Sequence, residues 1–178
     1  MKKWETISSK TILSNEYFEV VHDDCKRDGE LLSPYYVIKQ SDSVVVCPVT
    51  KENNVVLIKQ YRHPVNSINI ELPAGHLFTG EDVLAAAKRE LKEETGYEAE
   101  TYEKTGEVFS SAGLQNNKVH FYLAKNAVKT SEQNLDEHED IEVFELPLAQ
   151  ALELLKNGEI KDMGSTLCLM LAKEKLAC

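Results

Sequence analysis

Three glutamates lie within five residues of one predicted helix, in the stretch AAAKRELKEETGY (residues 85–97). Rotation of about 100° per residue places Glu90, Glu93 and Glu94 on one side of that helix. The small apolar residues of the preceding turns fall on the same side, which is the side expected to pack inward. Like charges three and four residues apart repel each other, so these carboxylates need a compensating partner.

Two kinds of partner fit the spacing. Arg89 can reach Glu93 one turn later and balance one charge, which leaves Glu90 and Glu94 one turn apart. Clustered carboxylates near an interior either bind protons or bind a cation. Oxygen ligands beside a strand-to-helix loop suit a hard ion such as Mg²⁺ or Mn²⁺. The pattern therefore favours a metal site, with a structural network of salt bridges as the alternative.

Composition limits the classes of protein that the chain can belong to. A length of 178 residues, 42% of them hydrophobic, suits one domain with at most a small appendage. A net charge of −10 argues against long RNA or DNA as the substrate but leaves a small phosphorylated one. No apolar run is long enough to span a bilayer, and the N-terminus lacks the apolar segment of a signal peptide. The cysteines are scattered, which indicates reduced thiols in a cytoplasmic protein.

Residue patterning predicts an α+β fold with a mixed sheet and three helices. The predicted strands cover residues 17–23, 34–40, 43–49, 55–62, 68–75, 107–111, 118–124 and 141–146. The glutamates lie on a helix from about Thr79 to Thr95, with Thr79 and Asp82 as a capping box and Gly96 as its terminating glycine. The other two helices cover residues 147–157 and 162–176. Residues 1–42 are expected to form an N-terminal β-strand subdomain, followed by the main domain at 43–178.

Fixed spacing connects the glutamates to a known motif. Gly75, Glu81 and the run Arg89-Glu90-Leu91-Lys92-Glu93-Glu94-Thr95-Gly96-Tyr97 resemble the Nudix box at every fixed position. That motif is a glycine, a glutamate six residues on, then Arg-Glu-apolar-x-Glu-Glu-x-Gly-apolar. The resemblance implies the Nudix fold, a mixed sheet sandwiched between helices, and hydrolysis of a nucleoside diphosphate linked to another group.

The same resemblance assigns roles to the box residues. It implies that Glu90 and Glu94 are the principal ligands of two or three Mg²⁺ or Mn²⁺ ions. Glu93 is implied as a further ligand or as a group bonded to Arg89, and the backbone carbonyl of Ala74 as an additional ligand. These ions would neutralise the phosphate oxygens during hydrolysis.

Residues outside the box indicate a branch of the family. The segment IKQYRHPVNSINIELPAG (58–75) resembles the branch that hydrolyses ADP-ribose and nucleoside diphosphate sugars. By that resemblance Arg62 contacts a substrate phosphate or ribose, a role that its planar donors suit. Ala112 and Asn117 stand where this branch has a proline and, nearby, a glutamate. This departure favours a broader or different sugar preference, such as GDP-mannose.

Two further predictions concern the catalytic base and the N-terminal strands. The stretch LDEHEDIEV (135–143) resembles the mobile loop of ADP-ribose pyrophosphatases, whose glutamate acts as the base. Glu139 aligns best with it, Glu137 is the substitute, and Glu93 is the candidate if the loop is only a solvated turn. Tyr17 and Phe18 are placed to stack on the nucleobase, or are ordinary strand aromatics. The N-terminal strands of this branch often reach a partner subunit, which predicts a homodimer.

Two other functions remain open on the sequence. One is another Nudix activity, such as hydrolysis of oxidised nucleoside triphosphates or removal of a 5′ pyrophosphate from RNA. The N-terminal strands, the Gln-Tyr-Arg segment and the acidic charge count against it. The other is a Nudix-like module that senses a nucleotide without cutting it. Such a module would be expected to lose box carboxylates, and this chain has all four.

Overall fold

A computed structural model describes residues 1–32 and 34–176 of the chain. The chain divides into two compact units. One comprises Met1–Asp42 and Val108–Lys118, and the other comprises Ser43–Glu107 and Val119–Cys178. Sequence patterning gave no signal that the segment from Val108 to Lys118 would cluster with the N-terminal strands.

The N-terminal strands form an antiparallel sheet. They are β1 (Glu5–Ser14), β2 (Phe18–Arg27), β3 (Glu30–Leu31) and β4 (Tyr35–Gln40). β1 pairs with one side of β2, while β3 and β4 pair with the other side. β1 was missed from the sequence because every one of its residues is exposed, so it has no apolar face to reveal a period of two. Asp28 and Gly29 form the turn between β2 and β3, and both residues have a positive φ.

The larger sheet has seven strands and is mixed. The remaining strands of the chain are β5 (Ser43–Val49), β6 (Asn54–Arg62), β7 (Ser67–Glu71), β8 (Ala74–His76), β9 (Tyr97–Glu98), β10 (Thr101–Phe109), β11 (Lys118–Lys125), β12 (Val128–Lys129) and β13 (Ile141–Pro147). The order β10-β11-β5-β6-β13 forms the main path of the sheet, with β8 beside β5 and β7 beside β6. β11 runs parallel to β5, and the pairs of β6 with β13 and β7 are antiparallel.

Two of these strands differ from the sequence-based prediction. The strand predicted at residues 68–75 is two strands, because Pro73 has no N–H to continue the ladder and the chain shifts from β6 to β5 there. The strand predicted at 107–111 begins earlier, at Thr101.

The three helices cover both faces of this sheet, as predicted. They are α1 (Val83–Thr95), α2 (Leu148–Lys156) and α3 (Met163–Leu176). Side chains of a strand alternate between faces, so Val44 and Val46 pack with α1 while Val45 and Cys47 pack with α2 and α3. The α+β class and the predicted mixed sheet between helices are therefore confirmed.

The predicted start of α1 is wrong. Asp82 has extended backbone angles, and its carboxylate accepts hydrogen bonds from the N–H groups of Leu84 and Ala85 at 3.0 Å each. It is therefore the N-cap residue, and Thr79 lies in the loop before the helix. The predicted end is confirmed: Gly96 is left-handed, with φ of 74°, and its N–H donates to the carbonyl of Lys92.

No helix within residues 1–32 and 34–176 combines the length and the apolar character needed to cross a bilayer.

Candidate active site

The inward face of α1 carries the carboxylates to the sheet. Ala86, Ala87 and Leu91 are fully buried against the strands, which fixes the rotation of the helix. Glu90 and Glu94 lie on the same face of the helix, and only 8% and 4% of their surface is accessible to solvent. The sequence prediction that these glutamates point toward the body of the protein is confirmed.

Arg89 connects three of the four box carboxylates. Its Nη1 donates to Glu90 at 2.7 Å and to Glu93 at 3.1 Å. Its Nε and Nη2 donate to the two oxygens of Glu81 at 2.8 and 2.9 Å. The guanidinium also lies 4.0 Å from the centre of the Phe78 ring. The predicted ion pair of Arg89 and Glu93 is confirmed. The same guanidinium also forms ion pairs with Glu81 and Glu90.

Glu94 stands outside this arginine network. Its Oε2 accepts a hydrogen bond from the N–H of Ala74 at 2.9 Å. Burial raises the pKa of Glu94 well above its usual value, and the charges of Glu90 and Glu139 add to the effect. Burial also raises the pKa of Glu90, although Arg89 opposes the shift. The cluster therefore has more negative charge than its own cation balances.

The donor chemistry fits a hard divalent cation. Four carboxylates and one guanidinium leave three negative charges when all are ionised, and oxygen is the ligand that Mg²⁺ prefers. A Cβ built on Gly75 would overlap the carboxylate of Glu90, so this carboxylate occupies space that only glycine leaves open. Within residues 1–32 and 34–176, no three acidic, imidazole or thiol groups are already gathered around one point. An ion must therefore compete with Arg89 for Glu90 and Glu93.

Glu139 of the acidic loop lies near enough to α1 for its charge to act on two of the box carboxylates. Glu139 is half-buried, and its charge contributes to the raised pKa of both Glu90 and Glu94. Its N–H donates to the carbonyl of Asp136 at 3.0 Å, and its carboxylate accepts from the N–H of Asp136 at 3.1 Å. Glu137 is exposed at the turn. The base assignment stays a prediction, and this placement favours Glu139.

Arg62 lies at the edge of a cleft of about 410 Å³. Its Nε and Nη2 donate to Glu71, with the shortest contact at 2.6 Å, and this hydrogen bonding raises the pKa of Arg62. The side chain of Arg62 is 40% exposed and that of Glu71 is 5% exposed. The cleft is lined by Arg62, Pro64, Val65, Ser67, Asn69, Glu71, Lys161, Asp162 and Met163.

Sequence reasoning missed three charged groups of this cleft, Glu71, Lys161 and Asp162. Glu71 orients the guanidinium of Arg62, and its signal was a carboxylate inside the apolar strand stretch INIELPAG. Lys161 precedes α3 and had no signal in the sequence, because it is one of many exposed lysines. The substrate-binding role of Arg62 stays a prediction.

The two N-terminal aromatics lie at the turn between β1 and β2. The side-chain oxygen of Asn15 accepts hydrogen bonds from the N–H groups of Tyr17 and Phe18, at 2.8 and 2.9 Å. Tyr17 is 71% exposed, whereas Phe18 is half-buried in the sheet. Tyr17 is therefore free to stack on a planar ligand, and its role stays a prediction.

Comparison with protein families identifies the fold and box as one known class. The model of the NUDIX domain matches residues 39–165. The chain belongs to the Nudix family, which confirms the resemblance that the box residues indicated.

Similar proteins carry three different names. A methanol dehydrogenase activator of Bacillus methanolicus is 35% identical over 159 residues, covering 89% of this chain and 86% of the relative. An ADP-ribose pyrophosphatase of Bacillus subtilis (strain 168) is 34% identical with the same coverage. A GDP-mannose pyrophosphatase of Escherichia coli (strain K12) is 34% identical over 178 residues, covering 93% of this chain and 92% of the relative.

A solved structure supports the fold. The crystal structure of an ADP compounds hydrolase matches with a TM-score of 0.87, covering 98% of this chain and 95% of that one. Its sequence is 23% identical, so the likeness concerns the fold alone.

Proposed function

We propose that this Nudix protein hydrolyses the pyrophosphate bond of a nucleoside diphosphate sugar. The products would be a nucleoside monophosphate and a sugar 1-phosphate, and the substrate types are ADP-ribose and GDP-mannose. The observation that carries the proposal is the buried carboxylate cluster of α1, with Glu139 beside it and more negative charge than Arg89 balances. The ADP-ribose and GDP-mannose pyrophosphatases at 34% identity support this substrate class.

The proposed cofactor is Mg²⁺ or Mn²⁺, with two or three ions per site. Glu90 and Glu94 would hold the ions, with Glu93 and the carbonyl of Ala74 as further ligands. When bound, the ions supply positive charge that neutralises the pyrophosphate oxygens and the charge that develops as the bridging bond breaks. Without an ion, Arg89 would offset part of the repulsion among Glu81, Glu90 and Glu93 and fix the direction of their carboxylates through its hydrogen bonds.

Glu139 is the proposed general base. Its carboxylate would accept a proton from water as the water oxygen forms a bond to one phosphorus atom. The bond from that phosphorus to the bridging oxygen breaks, and the bridging oxygen stays on the other phosphate, which leaves as the second product. No covalent protein nucleophile is needed. Glu137 is the alternative base, and Glu93 is the candidate if neither loop residue acts.

Arg62 is the proposed substrate-binding residue. Glu71 uses the Nε and Nη2 of Arg62, which holds the guanidinium plane in one orientation. The guanidinium is then held so that its Nη1 group can donate to a phosphate or ribose oxygen. The adjoining cleft offers hydroxyl, amide and ammonium groups from Ser67, Asn69 and Lys161, which suit the hydroxyl groups and charge of a sugar phosphate.

The assembly and location are proposed on two other features. Among the described residues, β1 pairs with β2 on one edge only and all ten of its residues are exposed, and exposed edges are usually covered. We therefore propose a homodimer through the N-terminal strands, with Tyr17 and Phe18 stacking on the nucleobase.

Cys25, Cys47 and Cys168 are free thiols, which supports a reducing compartment such as the cytoplasm. Cys178 lies outside the described residues.

A substrate screen tests the proposal. The protein is incubated with Mg²⁺ and a panel of nucleoside diphosphate sugars and nucleoside triphosphates, and the products are separated by chromatography. We expect a nucleoside monophosphate from a nucleotide sugar and poor turnover of triphosphates. A clear preference for triphosphates, with release of pyrophosphate, would place the protein among the housecleaning enzymes. Nucleotide binding without turnover would make it a sensing module.

A further inference from the structure

The loop that carries Glu139 starts from the end of the carboxylate helix. The N–H groups of Thr130 and Ser131 donate to the carbonyl of Gly96, at 2.8 and 3.1 Å. The N–H of Asn134 donates to the carbonyl of Glu93 at 2.9 Å. The chain therefore lies along the last turn of α1 before it enters the acidic stretch.

Gln133 joins both ends of this loop. Its side-chain Nε2 donates to the carbonyl of Glu94 at 2.7 Å and to the carbonyl of Ile141 at 3.0 Å. The carbonyl of Glu94 is one of the last four of α1, which have no partner within the helix. Ile141 is the first residue of β13 and pairs with Gln60 of the central sheet. The side chain of Gln133 thus connects the end of α1 to the start of β13, the two elements that flank residues 134–140.

Apart from Gln133 and the bond from Asn134 to Glu93, few contacts among the described residues hold this loop. Asp136, Glu137 and His138 are exposed, and the mutual hydrogen bonds between Asp136 and Glu139 lie within the loop itself. Such local bonds keep the shape of a turn but do not orient it toward α1. A segment with few buried contacts opens at low free-energy cost unless its ends are fixed.

We propose that Gln133 is a positioning residue for the base: by tying α1 to the start of β13, it holds the acidic loop so that Glu139 faces Glu90 and Glu94. This rests on the proposed hydrolysis and on Glu139 as its base. Gln133 touches neither substrate nor ion in this role, and acts through the loop. The competing explanation is that Gln133 only caps the carbonyls at the end of α1, which would affect stability without affecting the rate of the chemical step.

The kinetic test uses Gln133→Met in the full chain, because methionine has a similar length and no N–H to donate. GDP-mannose and ADP-ribose with Mg²⁺ serve as probes. Misplacing a reacting group by about 1 Å can cost about 100-fold in rate, so we expect kcat to fall by about 10- to 100-fold while KM changes much less. Gln150→Met, at an exposed position of α2, is the matched control and should keep the kcat of the natural chain.

A double-mutant cycle separates positioning from capping. If Gln133 acts through Glu139, Gln133→Met should cause no further loss of kcat in a Glu139→Gln background. An equal loss in both backgrounds would overturn the proposal, as would natural kcat in Gln133→Met, whatever its melting temperature.

Amide hydrogen exchange tests the same inference without turnover. The N–H groups of Asn134, Asp136 and Glu139 are hydrogen-bonded, so their exchange is slowed while the loop is held. We expect faster exchange at these amides in Gln133→Met and unchanged exchange in Gln150→Met. Unchanged exchange in Gln133→Met would overturn the proposal. If the natural chain hydrolyses no nucleotide sugar, the proposed function fails, and this exchange still decides whether Gln133 holds the loop.

Discussion

The carboxylate of Glu90 lies against the bare backbone of Gly75, in the space that a side chain at residue 75 would occupy. The glycine belongs to β8, which pairs with β5, and the glutamate belongs to α1. The close approach explains why a motif built around acidic residues begins with a glycine. It places Glu90 next to the backbone of Ala74, the neighbour that also donates its N–H to Glu94.

Gly75→Ala should displace the carboxylate of Glu90 without unfolding the protein. The new Cβ would overlap Cδ and both oxygens of Glu90, and a side chain can rotate away more easily than a paired strand can move. The loss of a group that orients a ligand typically costs about 10- to 100-fold in metal affinity, and we expect a loss of that size in Mn²⁺ binding measured by calorimetry. Gly113→Ala is the control, because nothing lies within 4 Å of a Cβ there. Equal Mn²⁺ affinity in both variants would contradict the placement of Glu90 as a ligand.

Glu94→Gln should fold normally and lose most of its turnover. Burial and the neighbouring charges oppose the ionised form of Glu94, so a neutral amide relieves repulsion and still accepts the hydrogen bond from Ala74. We expect a melting temperature without metal that is equal to that of the natural chain or higher. A ligand oxygen is lost, so Mg²⁺-dependent hydrolysis should fall. Glu132→Gln, with its carboxylate 93% exposed, should match the natural chain in both measurements. Activity that survives exhaustive chelation would exclude the metal site.

Glu139→Gln should lower kcat by about 10²- to 10⁴-fold, the usual cost of losing a general base. Metal affinity should stay nearly unchanged, because the box glutamates still hold the ions. Glu137→Gln should cost much less, since that side chain is exposed at the turn. Steady-state kinetics on both variants measures the change in kcat, and a Mn²⁺ titration measures the metal affinity. Reversed effects would assign the base to Glu137, and two neutral effects would move it to Glu93.

The sequence predicted the carboxylate cluster well because the helix period and the motif spacing both act over a few residues. It failed where contacts depend on distant parts of the chain. The predicted helix from Thr79 included Glu81, whereas Glu81 lies before α1 and binds Arg89. Arg62 lies opposite Ser67 and Glu71 lies opposite Ile58 in the β6–β7 ladder, so Arg62 and Glu71 are not cross-strand neighbours and no local pattern predicts their ion pair.

No local sequence pattern could predict the contacts that Gln133 makes at the start of the acidic loop. The bonds from Gln133 to Glu94 and Ile141 join elements whose proximity follows only from the assembled sheet. β1 escaped prediction for a different reason, since a fully exposed strand has no hydrophobic alternation.

Arg62→Lys should raise KM for the nucleotide sugar more than it lowers kcat. Lysine keeps the charge but cannot bind Glu71 and an oxygen of the substrate with one rigid plane. A hydrogen bond to a charged group contributes about 1.5–3 kcal/mol, which corresponds to roughly a 10- to 100-fold rise in KM. Lys59→Arg is the matched control, because Lys59 pairs with Glu142 on an adjacent strand and does not line the cleft. Thermal melts of both variants show whether the buried Glu71 tolerates the change. An unchanged KM in Arg62→Lys would remove Arg62 from the substrate site.

Light scattering at micromolar concentration should give about twice the chain mass of 20.1 kDa, because we expect the free edge of β1 to pair with a second copy. Ile7 and Leu13 on this strand are 50% and 51% exposed, and their apolar surface would be buried in such a dimer. Replacing both with lysine should shift the mass toward the monomer, since charged side chains on an edge strand oppose pairing. Leu31→Lys, at a position 77% exposed on β3, is the control and should leave the mass unchanged. A natural chain with the mass of one copy would refute the dimer, and a dimer that persists in the double lysine variant would place the interface on a different surface.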